Sequence, residues 1–176
     1  MKKWRLVSTK QVYKSEYLSL FDDAIILPTG REITYARVEL KDFVSILPVI
    51  GDDIVMIEVF RYPANRFSLE IPSGYVEKGE DPEKCAGREL LEEAGYVAGT
   101  LENMGWFHPW TRSLRKAYLF TAKDLSRQEQ SLDETELIRV KILSKDDVLK
   151  RLDANEIVHA PTIIVLQRFF LHLQLG

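Results

Sequence analysis

The stretch GYVEKGEDPEKCAGRELLEEAGY, residues 74–96, crowds glutamates between two glycines and runs into a segment of helical period. Asp81 is a candidate N-cap, Pro82 suits the first helical position and Gly95 stands where a helix would stop, which predicts a helix over Pro82 to Ala94. At about 100° per residue, Glu89, Glu92 and Glu93 share one arc of the wheel, while Ala86, Gly87, Leu90, Leu91 and Ala94 occupy the other side. The apolar side is expected to face core and the acidic side to face outward or into a cleft. Like charges one turn apart weaken a helix, so the acidic stripe needs a compensating partner or full solvation. Arg88 reaches Glu92 at i+4 and neutralises one carboxylate without serving all of them. The remaining pair, Glu89 and Glu93, presents oxygen donors one turn apart, the type that Mg²⁺ or Mn²⁺ takes. A merely solvated acidic face is the competing reading.

The rest of the chain is that of an ordinary soluble protein. Its 176 residues are 45% hydrophobic and 29% charged, enough to bury a core without disulfide or metal staples. A formal net charge of -3 leaves no basic field for a nucleic-acid backbone. The single cysteine, Cys85, excludes an intramolecular disulfide, fits a reducing compartment and reads as a small residue on the helix. MKKWRLVSTKQVYKSE at the N-terminus never develops the apolar run of a secretory leader, and FVSILPVIG and TIIVL are too short to span a bilayer. A cytoplasmic location is therefore expected.

Five strand patterns precede the acidic segment: WRLVSTKQVY, LSLFDDAIIL, REITYARVEL, FVSILPVI and IVMIEVF, punctuated by turns at PTGR and GDD. Further strands are expected around Leu101 to Phe107, Lys116 to Thr121 and Leu137 to Leu143. Ser144 with Asp147 reads as a capping-box-like start for a helix over Lys145 to Leu152. A last helix begins near Pro161 and carries Ile164, Leu166, Phe169, Phe170 and Leu173 towards the core. Strands, helix, strands and helices imply an α+β fold, a mixed sheet covered on its faces.

The acidic segment matches the pattern G-x5-E-x7-R-E-U-x-E-E-x-G-U, with U a bulky apolar residue, through Gly74, Glu80, Arg88, Glu89, Leu90, Glu92, Glu93, Gly95 and Tyr96. Seven fixed residues would meet by chance in such a chain about once in a million. The segment thereby resembles the Nudix box, whose bearers hydrolyse a diphosphate linked to another group with the help of metal ions. The resemblance implies Glu89, Glu93 and the carbonyl of Ser73 as metal ligands, with Glu92 in support. It implies that Arg88 and Glu80 orient loop and helix, Arg88 counting among the catalytic residues, and that Gly74 lets the backbone turn tightly.

Outside the box, EVFRYP at 58–63, LEIPSG at 69–74, DETELIRVKIL at 133–143 and EIVHAPTIIVLQRFFLHL at 156–173 are similar to segments of the ADP-ribose and nucleoside-diphosphate-sugar pyrophosphatases. In that light Arg61 contacts phosphates or base, or is an exposed strand-end charge. Glu70 binds substrate or supports its loop. Glu136, and with it Glu134, completes a metal site or serves as general base, against a solvated acidic turn. One stretch departs from the group: where an S-P-G proline is usual, this chain reads WFHPWTRS, with Pro109 early and Thr111 in its place. Trp110 and Arg112 then shape a different sugar or base pocket, or are a packed aromatic and a surface charge; His108 reads as a loop histidine.

The resemblance implies a Nudix fold over residues 41–176 with an N-terminal antiparallel β-sheet extension over residues 1–40 that mediates a homodimer. It implies Mg²⁺ (Mn²⁺ as a substitute) and a small-molecule nucleoside diphosphate sugar such as ADP-ribose, GDP-mannose or ADP-glucose, cleaved to a nucleoside monophosphate and a sugar phosphate. No nucleic acid or membrane partner is implied. The rival readings are a pyrophosphatase for nucleoside triphosphates or dinucleotide polyphosphates, and a module that senses a nucleotide sugar without cleaving it.

Overall fold

The computed structural model describes residues 2–175, with side chains described up to residue 171. The chain divides into two compact units, Met1–Asp42 with His108–Lys116, and Phe43–Phe107 with Ala117–Gly176.

The first unit is built on an antiparallel sheet of strands β1 (Arg5–Lys14), β2 (Leu18–Ile26) and β3 (Glu32–Leu40), in that order. Glycine at position 30, with φ 86°, closes the turn between β2 and β3. Asp23 is the buried polar residue of this sheet, taking Thr9 Oγ1 at 2.8 Å and Arg37 Nε at 2.8 Å. The segment 108–116 joins the unit by backbone and side-chain bonds, Val38 N to Arg112 O at 2.9 Å and Lys116 N to Asp42 Oδ1 at 2.7 Å. β1 is exposed along its whole length, including Leu6, Val7, Val12 and Tyr13.

The second unit is a mixed seven-stranded sheet between helices. Its path runs β10 (Ile138–Ser144), β5 (Asp53–Arg61), β4 (Phe43–Ile50), β9 (Ala117–Arg127), β8 (Tyr96–Phe107), with β6 (Arg66–Glu70) on β5 and β7 (Ser73–Tyr75) on β4. Only β4 with β9 is a parallel pair. Because β4 is covered on both faces, its residues Phe43–Pro48 are uniformly buried instead of alternating. Val44 and Ile46 enter the core beneath α1 (Pro82–Ala94), where Cys85, Ala86, Leu90 and Ala94 meet them. Leu47 enters the opposite core with Val148 of α2 (Lys145–Asp153) and Val165, Leu166 and Phe169 of α3 (Ala160–Leu175). Ile164 and Phe170 pack partly buried against it; the expectation for Leu173 lies outside the described side chains.

The edge of β4 is divided, and that division positions the site. Its C-terminal residues Val49 and Ile50 pair with β5, while Phe43, Val44 and Ser45 pair with Tyr75, Gly74 and Ser73 of β7. Between them Ile46 N donates to Pro72 O at 2.9 Å. The chain therefore leaves β6, crosses at Ile71 and Pro72 and lies down again on β4 directly under α1.

The expected helices and five leading strands are present at nearly the expected limits, whereas β8 and β9 run longer than expected. β6, β7 and the 3-10 turn at Tyr62–Ala64 had no counterpart in the sequence reading. Asp81 caps α1 by accepting from Glu83 N at 2.9 Å, and Gly95 ends it at φ 69° with its N–H on Leu91 O at 2.9 Å. Gly87 sits inside this helix with helical backbone, and a Cβ there would meet only Leu101 Cδ1 at 3.9 Å. Gly87→Ala is therefore expected to stabilise the protein by about 0.5–1 kcal/mol, read as a raised midpoint in urea unfolding with an unchanged slope.

Candidate active site

Helix α1 buries the carboxylates that its wheel had suggested might face outward. Glu89 is 8% exposed and Glu93 5%. Burial pushes Glu89 up to about 7, opposed by Arg88 and reinforced by the charges of Glu92 and Glu136. Burial likewise pushes Glu93 up to about 8, opposed by the Ser73 amide and Arg61 and reinforced by Glu89 and Glu136. The two carboxylates thus feel one another and Glu136 as like charges in a poorly solvated place.

Each is seated on β7. Ser73 N donates to Glu93 Oε2 at 2.6 Å. A Cβ on Gly74 would fall 1.9 Å from Glu89 Cδ, so the glycine is needed for the room it leaves, not for a tight turn: Gly74 lies in an extended strand, and the turning role expected of it is corrected. The Glu89 carboxylate occupies the space a side chain would take.

Arg88 is the hub of this region. Its Nε and Nη2 fork Glu80 at 3.0 and 3.1 Å, and Nη1 reaches Glu89 Oε1 at 2.7 Å and Glu92 Oε2 at 2.9 Å. Nη2 also donates to Tyr75 O at 3.2 Å. The expectation that Arg88 would neutralise a single helix carboxylate is thus corrected: three carboxylates share one guanidinium because the 75–81 loop folds back to bring Glu80 to it. Glu80 Oε2 further accepts from Glu77 N at 2.9 Å, which closes that loop. Hydrogen bonds from Arg88 hold the Glu80 carboxyl down at about 2, and the Arg88 guanidinium is raised in turn. Beneath it the Cys85 thiol, fully buried and 3.4 Å from Tyr75 O, is pushed up to about 12 by burial, an inert core residue as the sequence suggested.

The C-terminal carbonyls of α1 are taken by the segment after β9: Gln130 Nε2 donates to Glu93 O at 2.5 Å and Ser131 N to Glu92 O at 3.2 Å. That anchorage leads into the turn at 133–136, where Glu136 Oε2 accepts from Asp133 N at 3.1 Å. Glu136 is half-buried and its charge acts on both Glu89 and Glu93, whereas Glu134 is exposed at the tip of the turn.

Arg61 lies at the end of β5 and its charge acts on Glu93. It is not a loose strand-end charge: Nε and Nη2 bond Glu70 Oε1 at 3.0 Å and Oε2 at 2.5 Å. Glu70 is only 1% exposed, so of its two expected roles the supporting one is the one its position serves. Sequence reading passed over two residues here. His159 Nδ1 stands 3.1 Å from Glu70 Oε2 and 2.9 Å from Thr162 Oγ1, and Thr162 Oγ1 accepts from Ile71 N at 3.1 Å. Their signal was a histidine and a threonine three apart at a helix start.

Trp110 and Arg112 belong to the other unit. Arg112 Nη1 donates to Ala36 O at 3.0 Å and its guanidinium stacks 4.5 Å from the Tyr35 ring centre, so it is engaged by its own sheet. Trp110 is half exposed, and His108 Nδ1 lies 2.9 Å from Arg115 O within the same loop.

Among the described residues no three His, Cys, Asp or Glu side chains converge as a ready metal cage. The donor set nevertheless fits a hard divalent cation: two buried carboxylates one helical turn apart, beside backbone carbonyls of β7. Mg²⁺ is commonly held by one or two carboxylates, with substrate phosphates and waters completing the shell.

The NUDIX domain family profile matches residues 40–163. The chain belongs to the Nudix hydrolase family. It is 31% identical over 167 residues to the ADP-ribose pyrophosphatase of Bacillus subtilis (strain 168), covering 93% of this chain and 90% of that protein. It is 33% identical over 177 residues to the methanol dehydrogenase activator of Bacillus methanolicus, covering 97% and 93%. The crystal structure of an ADP compounds hydrolase shares the fold with a TM-score of 0.88 at 20% identity, over 99% of this chain and 96% of that one. Among the described residues no helix is long and apolar enough to cross a membrane.

The ion pair that ties this Nudix box together carries a pH signature. A carboxyl whose folded value is depressed stabilises the fold above its unfolded value, about 4.3, and loses that contribution as pH falls towards about 2. The melting-temperature gap between wild type and Glu80→Gln should therefore be constant above about pH 6 and shrink steadily below pH 4. A gap that stays constant down to pH 2.5 would contradict the pairing.

Proposed function

We propose that the protein is a divalent-metal-dependent pyrophosphatase that cleaves the diphosphate of a nucleoside diphosphate sugar, of the ADP-ribose, GDP-mannose or ADP-glucose type, to a nucleoside monophosphate and a sugar phosphate. The observation that carries this reading is the pair of buried carboxylates Glu89 and Glu93 held against β7, with the charge of Glu136 bearing on both. Similarity to the Bacillus subtilis ADP-ribose pyrophosphatase over nearly the whole chain supports the substrate class.

Glu89, Glu93 and the Ser73 carbonyl would hold Mg²⁺, or Mn²⁺ in its place, with Glu92 in reserve. When bound, the metal supplies Lewis acidity to the diphosphate oxygens. Arg61 meets the substrate phosphates with the edge of its guanidinium that Glu70 leaves open. Glu136 accepts the proton of the attacking water, being nearer in its electrostatic effect to the box than exposed Glu134. Water adds across the P–O–P bridge, one oxygen going to each product. Arg88 acts by holding Glu80, Glu89 and Glu92 and so fixes the shape of the site. A second reading is favoured by the Bacillus methanolicus relative: a role exerted on a dehydrogenase, for which hydrolysis of a nucleotide would be the means.

The deciding experiment is hydrolysis across ADP-ribose, GDP-mannose, ADP-glucose, UDP-glucose, NADH and dGTP with and without Mg²⁺. One or more diphosphate sugars should be cleaved, EDTA should abolish this, and Glu93→Gln should lower the rate at least about a hundredfold. Cleavage of dGTP alone would move the protein to the triphosphate class, and binding without cleavage would make it a sensor. Gly74→Ala should leave the melting temperature in metal-free buffer within a few degrees of wild type, while raising the Mg²⁺ needed for half-maximal rate about tenfold, because the new methyl displaces Glu89.

We further propose a homodimer formed through the N-terminal sheet, for which the exposed apolar residues Leu6, Val7, Val12 and Tyr13 on β1 are the support. Light scattering should give twice the monomer mass of 20.4 kDa, and Leu6→Glu with Val12→Glu should reduce it to one.

A further inference from the structure

Glu70 has no access to solvent and three hydrogen-bond contacts with cationic or polar side chains: two from Arg61 and one from His159. A carboxylate only accepts, so the 3.1 Å approach of His159 Nδ1 requires the ring proton on that nitrogen. Thr162, fully buried, fixes the ring from the other side at 2.9 Å and is itself fixed by Ile71 N. The start of α3 is thereby connected through His159, Glu70 and Arg61 to the charge of Glu93 on α1, four groups drawn from three separate elements. Burial lowers the imidazole from its ordinary value, which keeps it a neutral donor at this position.

We propose that His159 is a positioning residue for Arg61: its Nδ1–H holds Glu70 in the rotamer that forks Arg61 through Nε and Nη2, so that the start of the terminal helix sets where the substrate-facing edge of the guanidinium stands. The part of this inference that concerns substrate rests on the pyrophosphatase reading; the part that concerns Arg61 does not. A guanidinium fork is directional, and misplacing a phosphate-binding group by about 1 Å is enough to cost up to a hundredfold in rate.

The test uses the full chain with His159→Leu, which removes the donor, and His159→Asn, whose side-chain amide can replace Nδ1–H. In the wild type, the Nε–H of Arg61 in ¹⁵N-labelled protein should give a resolved, slowly exchanging resonance. His159→Leu should lose it and His159→Asn should regain it. On the best substrate of the panel, His159→Leu should raise KM about tenfold with kcat within about threefold, His159→Asn should restore KM to within about threefold, and the Arg61→Ala, His159→Leu double variant should be no worse than Arg61→Ala. An Arg61 resonance that survives His159→Leu overturns the proposal whatever the enzyme cleaves. So does a loss in kcat that follows the melting temperature and that His159→Asn leaves unrepaired, since that is the behaviour of packing alone. If no diphosphate is cleaved while the resonance behaves as expected, the pyrophosphatase reading falls and the positioning of Arg61 stands.

Discussion

The three residues Ile71, Pro72 and Ser73 are the constraint on which the site depends. At this point the chain leaves β5's side of the sheet for the divided edge of β4, and a crossing cannot use the regular ladder for all its amides. Ile71 N goes to Thr162 on α3, Pro72 has no donor to satisfy, and Ser73 N goes to Glu93 on α1. The Pro72 carbonyl meets Ile46 at the point where β4 changes partner. One short crossing is thus suspended between both helix layers. A buried polar group left without a partner costs about 1–3 kcal/mol, so threonine and glutamate at these two places serve the fold as well as the site.

From that crossing the geometry of the site follows in sequence order. Gly74 comes next and must lack a side chain because Glu89 already fills its space; Tyr75 then offers its carbonyl to Arg88 and Cys85; the loop to Asp81 returns Glu80 to Arg88. Asp81 and Pro82 start α1 at the right phase for Glu89 and Glu93 to land back on residues 73 and 74. The box is a closed circuit of strand, loop and helix, which is why its residues recur at fixed spacings: inserting one residue in the loop would turn the helix by about 100° and take both carboxylates off β7.

How legible this was depended on whether the determining interaction was local. The limits of α1 could be read because Asp81, Pro82 and Gly95 act within a turn of the chain, and the leading strands could be read from their period and their turns. β6 and β7 could not, because strands of five and three residues carry too little pattern, and what makes them strands is the edge of β5 and β4 waiting for them. The carboxylates of the site were legible as a set, yet their burial was not: a helical wheel assigns Glu89 and Glu93 to the polar side, and only the crossing at 71–73 turns that side into an interior. Trp110 and Arg112 attracted attention by composition in an unusual loop, while Ala36 and Tyr35, which engage Arg112, lie far away in sequence. His159 and Thr162 went unread for the same reason, since their partners Glu70 and Ile71 are nearly ninety residues distant.

The crowding of acidic residues is resolved in two different ways along one helix. Glu80 and Glu92 are satisfied by Arg88, a cation the chain provides, and this part of the cluster is complete without any ligand. Glu93 receives a neutral backbone donor, and Glu89 shares a guanidinium already committed to two other carboxylates. A neutral hydrogen bond orients a carboxylate but leaves its charge, and in poorly solvated surroundings two such charges facing Glu136 raise one another's cost. A second arginine within the cluster would remove that cost, and would also fill the place where oxygens must remain open. The arrangement is intelligible as one in which the fold spends its cation on the shape of the loop and leaves the inner pair to be completed by a charge from outside.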